Sequence, residues 1–352
     1  MSTAVHERPG VYSTYDVTSA LWRRRGSKVI GLTALASQGE ANKCVLLTSY
    51  EEGVAHFGAD GEGMKMAALL RLLFLNGASQ VVAVRVADSE SYADAFAALA
   101  AEESVQIVLC DSDDSAVQQE MKESVEAASL ERRERIGIVG SAGESAAELV
   151  ERARGLNSER MVLLGGDVLG ESGEALGGVY AAAALAGVLC RSSDSALPIN
   201  GETLEGFGGI AEQYSDNQID LLVRGGVTPL EMYQGAVSVV RGITTRTTTD
   251  GVADATWREL TTILIVDDVI PAVRNALHSR FMRKKNTVQT RGAIRSQVIM
   301  ELENKQAAQI IDSYGDVTVS VDSNDPTVCL VSFSFGVTHG LNQIYLSAHI
   351  TV

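Results

Sequence analysis

Residues 81–110 read VVAVRVADSESYADAFAALAAEESVQIVLC. The runs 81–86 and 105–110 are short and apolar, and they read as strands inside a core. Between them, 92–101 has the length and alanine content of a helix. A strand, a helix and a strand imply a parallel pair joined by a crossover. The alternation extends outward on both sides. Residues 44–47 read as a strand, and 62–75 as a helix with Met66, Leu69, Leu70 and Leu73 on one face. A helix from Ala116 to Leu130 can be capped by Asp113 or Asp114. A strand at 136–139, a helix at 144–153 and a strand at 161–164 continue the pattern. The expectation is a three-layer α/β body.

Residues 177–191 are alanine-rich and suit a closely packed helix, and 237–240 look strand-like. The threonine-rich stretch 244–250 is a plausible domain boundary. Beyond Leu260 the pattern changes. Residues 262–266 read as a strand. Val269, Val273, Leu277 and Phe281 recur every four residues, one face of a helix. Pro271 suits a first helical turn, with Asp267 and Asp268 as capping groups. A second helix is expected over 296–313. Three alternating runs follow: Val317, Val319, Val321; then Val331, Phe333, Phe335, Val337; then Ile344, Leu346, Ala348, Ile350, Val352. Period two marks strands with one buried face. The expectation is an α+β C-terminal domain of two helices on an antiparallel sheet.

The last alternating run reaches the final residue and invites a partner, because chain ends fray unless tied down. At the other end, Pro9–Gly10 marks a bend before an extended-looking 11–17, followed by Trp22 and Arg23, Arg24 and Arg25. That segment reads either as a loose tail or as an arm that adds a strand to a neighbouring sheet.

The chain has 352 residues, 45% of them hydrophobic and 21% charged, with net charge −16. That balance disfavours nucleic acid or an acidic membrane as the main partner. The charge is uneven. Residues 88–174 hold 20 acidic and 7 basic side chains, while 271–300 hold 7 basic and no acidic ones. Cys44, Cys110, Cys190 and Cys329 are isolated in or beside apolar runs and read as buried thiols. The polar N-terminus shows no signal peptide, and the longest apolar run, around 179–190, is too short to span a bilayer.

Several places invite an enzymatic reading. Gly137, Gly140 and Gly143 lie between a strand and a helix, but no Lys-Ser/Thr follows, so a tight turn is expected. Asp111, Asp113 and Ser115 form part of a metal-binding pattern, with helix capping as the expected role. The segment 165–167 reads as a turn. His6, His56, His278, His339 and His349 are scattered. No catalytic constellation, cofactor or metal is expected. The rival reading is a nucleotide- or metal-binding α/β enzyme built on Gly137–Gly143 and Asp111. The basic residues Arg274, Arg280, Arg283, Lys284 and Lys285 could form a solvated face, a nucleic-acid site or a dock for an acidic protein surface; clustering on an otherwise acidic chain favours the dock.

Motifs in order along the chain resemble the contractile tail sheath proteins of bacteriophages and related injection systems. They are Glu7–Arg8–Pro9–Gly10–Val11–Tyr12; residues 29–32, 45–50 and 56–58; residues 180–191 with Leu197–Pro198–Ile199–Asn200; residues 218–222 with 225–227; and 240–242 with 246–247. Val223–Arg224 departs from the family pattern, and a family tryptophan is missing near 240. The resemblance implies a structural subunit that polymerises helically around an inner tube and contracts to drive that tube through a cell envelope. It implies a linking arm at 1–19 and a body at 20–246 with 88–174 outward. It also implies an inner domain at 247–340 facing the tube and a strand arm at 341–352. Pro9, Gly10, Val11, Tyr12, Tyr15, Ile344, Leu346, Ile350 and Val352 would link subunits, and the five basic residues would meet the tube. Implied partners are further copies, the tube, the baseplate and terminator proteins, in a virion tail or tail-like particle assembled in the host cytoplasm. A baseplate component is the alternative within the same machine.

Overall fold

A computed structural model describes residues 28–61 and 63–350. The proposed N-terminal arm, with Pro9, Gly10, Val11, Tyr12 and Tyr15, and also Val352, lie outside the described residues.

The first half of the chain runs β1 (Val29–Leu35), β2 (Cys44–Leu47), α1 (Tyr50–Phe57), α2 (Met66–Leu75), β3 (Val81–Val86), α3 (Tyr92–Ala100), β4 (Val105–Cys110), α4 (Ser115–Leu130), β5 (Ile136–Gly140), α5 (Ala146–Leu156) and β6 (Met161–Gly165). It continues with β7 (Val168–Leu169), β8 (Ala175–Leu176), α6 (Gly178–Arg191), β9 (Gly209–Ile210), α7 (Asp216–Arg224), β10 (Val227–Tyr233) and β11 (Ala236–Val239). The hairpin β12 (Thr248–Thr249) and β13 (Val252–Ala253) precedes α8 (Leu260–Phe281) and α9 (Val288–Ala307). Last come β14 (Ile311–Tyr314), β15 (Thr318–Val321), β16 (Cys329–Ser332) and β17 (Phe335–Val337).

The main sheet has eight strands among the described residues, in the order β11-β10-β6-β5-β4-β1-β3-β2. Pairing is parallel from β10 to β3, with antiparallel β11 and β2 at the edges. Alternate residues of β3 serve two cores. Val81 and Ala83 face the side occupied by α2 and α6, while Val82 and Val84 face the side of α3, α4, α5 and α7. Strands covered on both faces become nearly continuous apolar runs, which is why 81–86 and 105–110 carry so little polarity.

The alanines of α6 have a packing reason. Ala181 to Ala186 are fully buried. A Cβ on Gly187 would sit 2.7 Å from the Leu73 carbonyl oxygen, and one on Gly140 would sit 2.1 Å from the Gly178 carbonyl carbon. Small side chains let this helix lie directly on the sheet and on α2.

Six sequence expectations need correction. Residues 262–266 are not a strand but part of α8, which runs through Pro271 to Phe281. Proline removes one intrahelical bond, yet Leu260, Ile263 and Leu264 pack into the body core while Ile265, Val269 and Val273 pack into a third core, so burial on two sides holds the helix. Asp267 and Asp268 therefore lie inside a helix and do not cap one. The second helix is displaced to Val288–Ala307, and residues 311–313 begin a strand. The run 331–337 is divided between β16 and β17, which pair with β15 and β14 respectively, so two separate two-stranded sheets replace the single expected one. Residues 338–350 hold no strand, because a strand needs a ladder partner and the described residues supply none. The helix at 62–75 begins at Met66, and the separate α1 precedes it, capped by Ser49.

Candidate functional site

The C-terminal domain is a small core clamped by α8 and α9. Val298, Leu302, Ile310, Ile311 and Val317 are buried there, and Val319, Val331, Phe333, Phe335 and Val337 pack on it half-buried. Two-stranded sheets are marginal alone in water, and here each pair leaves backbone edges without a ladder partner among the described residues. Beside β17 runs a groove of about 970 Å³ whose lining includes Trp257, Val266, Phe335, Val337 and His339.

The chain then leaves this domain as a solvent-exposed segment. Ile344 is 79% exposed, Leu346 93% and Ile350 86%. Large apolar side chains at alternate positions, uncovered by the described residues, fit a strand that seeks a partner.

The five basic residues divide by location. Arg274 reaches back to the body, where its guanidinium pairs with Glu134. Burial works against ionisation of the Glu134 carboxyl, and Arg274, together with the Glu134 backbone amide and Arg160, more than offsets that, leaving its pKa lowered. Arg280 is exposed and donates to the Gln297 side-chain oxygen. Arg283, Lys284 and Lys285 lie exposed on the turn between α8 and α9, with Arg283 in the left-handed region at φ 65°.

The seam between body and C-terminal domain is also ionic, a feature spacing could not reveal because its partners lie far apart in sequence. Arg160 grips Asp267 with two bonds of 2.9 and 3.0 Å. Asp268 accepts from Lys305 at 2.6 Å and from the Ser195 hydroxyl at 3.0 Å. A cleft of about 260 Å³ beside these groups is also lined by Lys28 and Gln106. Burial pushes the Asp267 carboxyl up, against the pull of Arg160.

The places that invite an enzymatic reading are occupied by structural bonds. The Gly143 amide, which a phosphate would need, donates to Asp167 at 2.8 Å. Gly137 and Gly140 are spaces filled by Met161 and Gly178. Asp111 is buried and accepts from the Tyr92 hydroxyl and, at 2.9 Å, from the Leu35 amide. Asp114 caps α4 by accepting from the Ala116 amide. Among the described residues no group of three or more His, Cys, Asp or Glu is placed to hold a metal ion, and no helix is long and apolar enough to cross a membrane. Cys110 and Cys190 are buried, whereas Cys44 and Cys329 are only half-buried.

Comparison with known proteins resolves what this assembly of open edges belongs to. The family model for the phage tail sheath protein central domain matches residues 85–245, and that for the phage tail sheath C-terminal domain matches 252–351. The chain belongs to the phage tail sheath family. A tail sheath protein of Bacillus phage SP01 is 29% identical over 224 residues, 62% of this chain. The chain spans 38% of the length of that curated relative. Among solved structures, the sheath tail protein of Desulfitobacterium hafniense matches with TM-score 0.71 at 13% identity, over 93% of this chain and 100% of the other. The helical sheath of the anti-feeding prophage in its contracted state matches with TM-score 0.72 at 14% identity, over 98% and 99%. The sheath fold thus includes described residues before residue 85, which the family models leave unmatched.

Proposed function

We infer that this chain is a structural, non-enzymatic subunit of a contractile sheath: copies polymerise helically around an inner tube and shorten on triggering to drive the tube through a target envelope. One observation carries the reading. The chain offers both halves of a joint, two-stranded sheets with open edges and an exposed apolar segment with period two, and the described residues close neither. Head-to-tail contacts of that kind propagate as open helices. The groove beside β17 suits a strand from a second copy, drawn from Ile344, Leu346, Ile350 and Val352 or from the arm containing Pro9, Gly10, Val11, Tyr12 and Tyr15. Backbone pairing would supply affinity, and alternate side-chain pockets would supply register.

Because α8 contributes to both the body core and the C-terminal core, the two units move together, and contraction becomes a change between rigid subunits. The C-terminal domain, residues 247–340, faces the tube, presenting Arg280, Arg283, Lys284 and Lys285, while Arg274 serves the internal seam. Screened charge pairs suit a contact that must release. The acidic stretch 88–174 faces outward. Further partners on this reading are the baseplate and terminator proteins, and the location is a virion tail or tail-like particle assembled in the host cytoplasm.

The test is negative-stain microscopy of the full chain beside a variant lacking residues 1–19. Striated cylinders from the full chain and dispersed, folded particles from the shortened one are expected. Cylinders from the shortened chain would remove the N-terminal arm from the joint, and dispersed particles from both would remove the sheath reading.

A further inference from the structure

The exposed segment does not leave the molecule where its strand ends. The Thr338 amide still reaches the Ile310 carbonyl, at 3.5 Å, in the C-terminal domain. Two residues later the chain touches the body. A Cβ on Gly340 would lie 2.4 Å from Cγ of Pro198 and 3.2 Å from its Cβ. The Asn342 side-chain oxygen accepts from the Asn200 side-chain amide at 2.8 Å. Asn200 uses its other end as well, accepting from the Gly242 amide at 3.2 Å where β11 leads out of the sheet. This loop is itself fixed. Ile199 is buried, and Gly201, Glu202 and Leu204 are hydrogen-bonded to β11 through its Val237 and Val239 backbone groups. From 343 to 350 every residue is exposed.

We propose that Pro198, Asn200, Gly340 and Asn342 form a clip that sets the point and direction from which residues 343–350 reach a second copy of the chain. The proposal rests on the reading that this segment pairs between copies. Glycine is required at 340 for space: its φ is not in the left-handed region, and any side chain would meet the proline ring. The clip is a positioning element. It makes none of the contacts with the neighbour and limits the volume that the segment searches. Eight extended residues reach about 26 Å, and freeing the four before them adds about 13 Å. The searched volume grows as about the 3/2 power of the segment length, so the effective concentration at the neighbour's groove falls about twofold.

The experiment measures the critical concentration for polymerisation by sedimentation, together with the melting temperature of the dispersed protein. The variants are Gly340→Val, Asn342→Ala, Gly340→Ala, the pair Gly340→Ala with Pro198→Ala, and a chain ending at Asn342. Gly340→Val and Asn342→Ala are expected to raise the critical concentration about twofold while leaving the melting temperature unchanged. Gly340→Ala is expected to do the same, and Pro198→Ala to reverse it by removing the ring atom it meets. The shortened chain is expected not to polymerise. If the point variants polymerise like the parent while the shortened chain does not, the clip is overturned and the inter-subunit segment stands. If the shortened chain polymerises like the parent, the segment reading and the clip both fall. A melting temperature that drops in step with assembly would make these residues part of the fold, which also overturns the positioning role.

Discussion

The body and the C-terminal domain are built from the same kinds of element and finished differently. In the body, the inner strands of the eight-stranded sheet are covered on both faces, and the β11 edge is bonded to the loop at 201–204. In the C-terminal domain, four strands form two separate pairs, with half-buried side chains and open edges. The body pairs most of its strand backbone within one sheet, whereas each C-terminal pair leaves edges without a ladder partner among the described residues. A soluble monomer with such edges risks aggregation; in a polymer the same edges set which surfaces meet.

That contrast can be broken in several ways. The largest effect is expected from Gly140→Val, which forces a side chain into the Gly178 backbone at a site with no room to shift. A loss of more than about 4 kcal/mol is expected, seen as a collapse of soluble yield and of the urea midpoint. A midpoint like that of the parent would show that α6 does not rest directly on the sheet. Next comes the seam. Arg160→Ala leaves Asp267, whose side chain is 14% exposed, without its partner, and about 3–5 kcal/mol of destabilisation is expected from paired urea melts.

In the C-terminal domain, Val331→Ala removes only half-buried methyl groups, so about 1 kcal/mol is expected, with a larger effect on polymerisation than on melting. Equal loss in both measurements would mean that this domain is as self-sufficient as the body.

Asp111 gives a pH signature. Burial, the largest influence, raises its pKa above the ordinary carboxylate value despite hydrogen bonds from Tyr92 and Leu35. A carboxyl with a raised folded pKa contributes stability that is present below its unfolded pKa and lost as pH rises through the folded one. Relative to Asp111→Asn, the parent should therefore be more stable near pH 4 than at pH 7, with the difference shrinking on the way up. A difference that grows with pH would refute the sign.

The smallest change in stability is expected from Lys284→Glu with Lys285→Glu, within about 0.5 kcal/mol because both are exposed. Sheath assembly on tube should nevertheless weaken, and more so at low salt. Unchanged tube-dependent assembly would detach the basic turn from that role.

Much of the body was legible because a doubly covered sheet stamps itself on local composition. Residues 81–86, 105–110 and 136–139 are apolar for one reason, and the alanines of 181–186 for another, and both act within a few residues. The C-terminal domain was less legible. The run 262–266 has a β-like composition but lies in α8, because burial against two cores outweighed propensity. The run 331–337 looked continuous because period two does not say which partner each half will take. Of the basic cluster, sequence supplied the members but not the division between Arg274 at the seam and Arg283, Lys284 and Lys285 at the tip.

Sequence by itself determined the strand–helix alternation, the acidic and basic blocks, and the apolar alternation of 344–350, since each is a pattern among near neighbours. Only the tertiary structure decided the α8 spine, the pairing of Arg160 with Asp267, and the contact of Gly340 with Pro198. Those depend on which distant residues the fold brings together, and local periodicity does not encode distance through space.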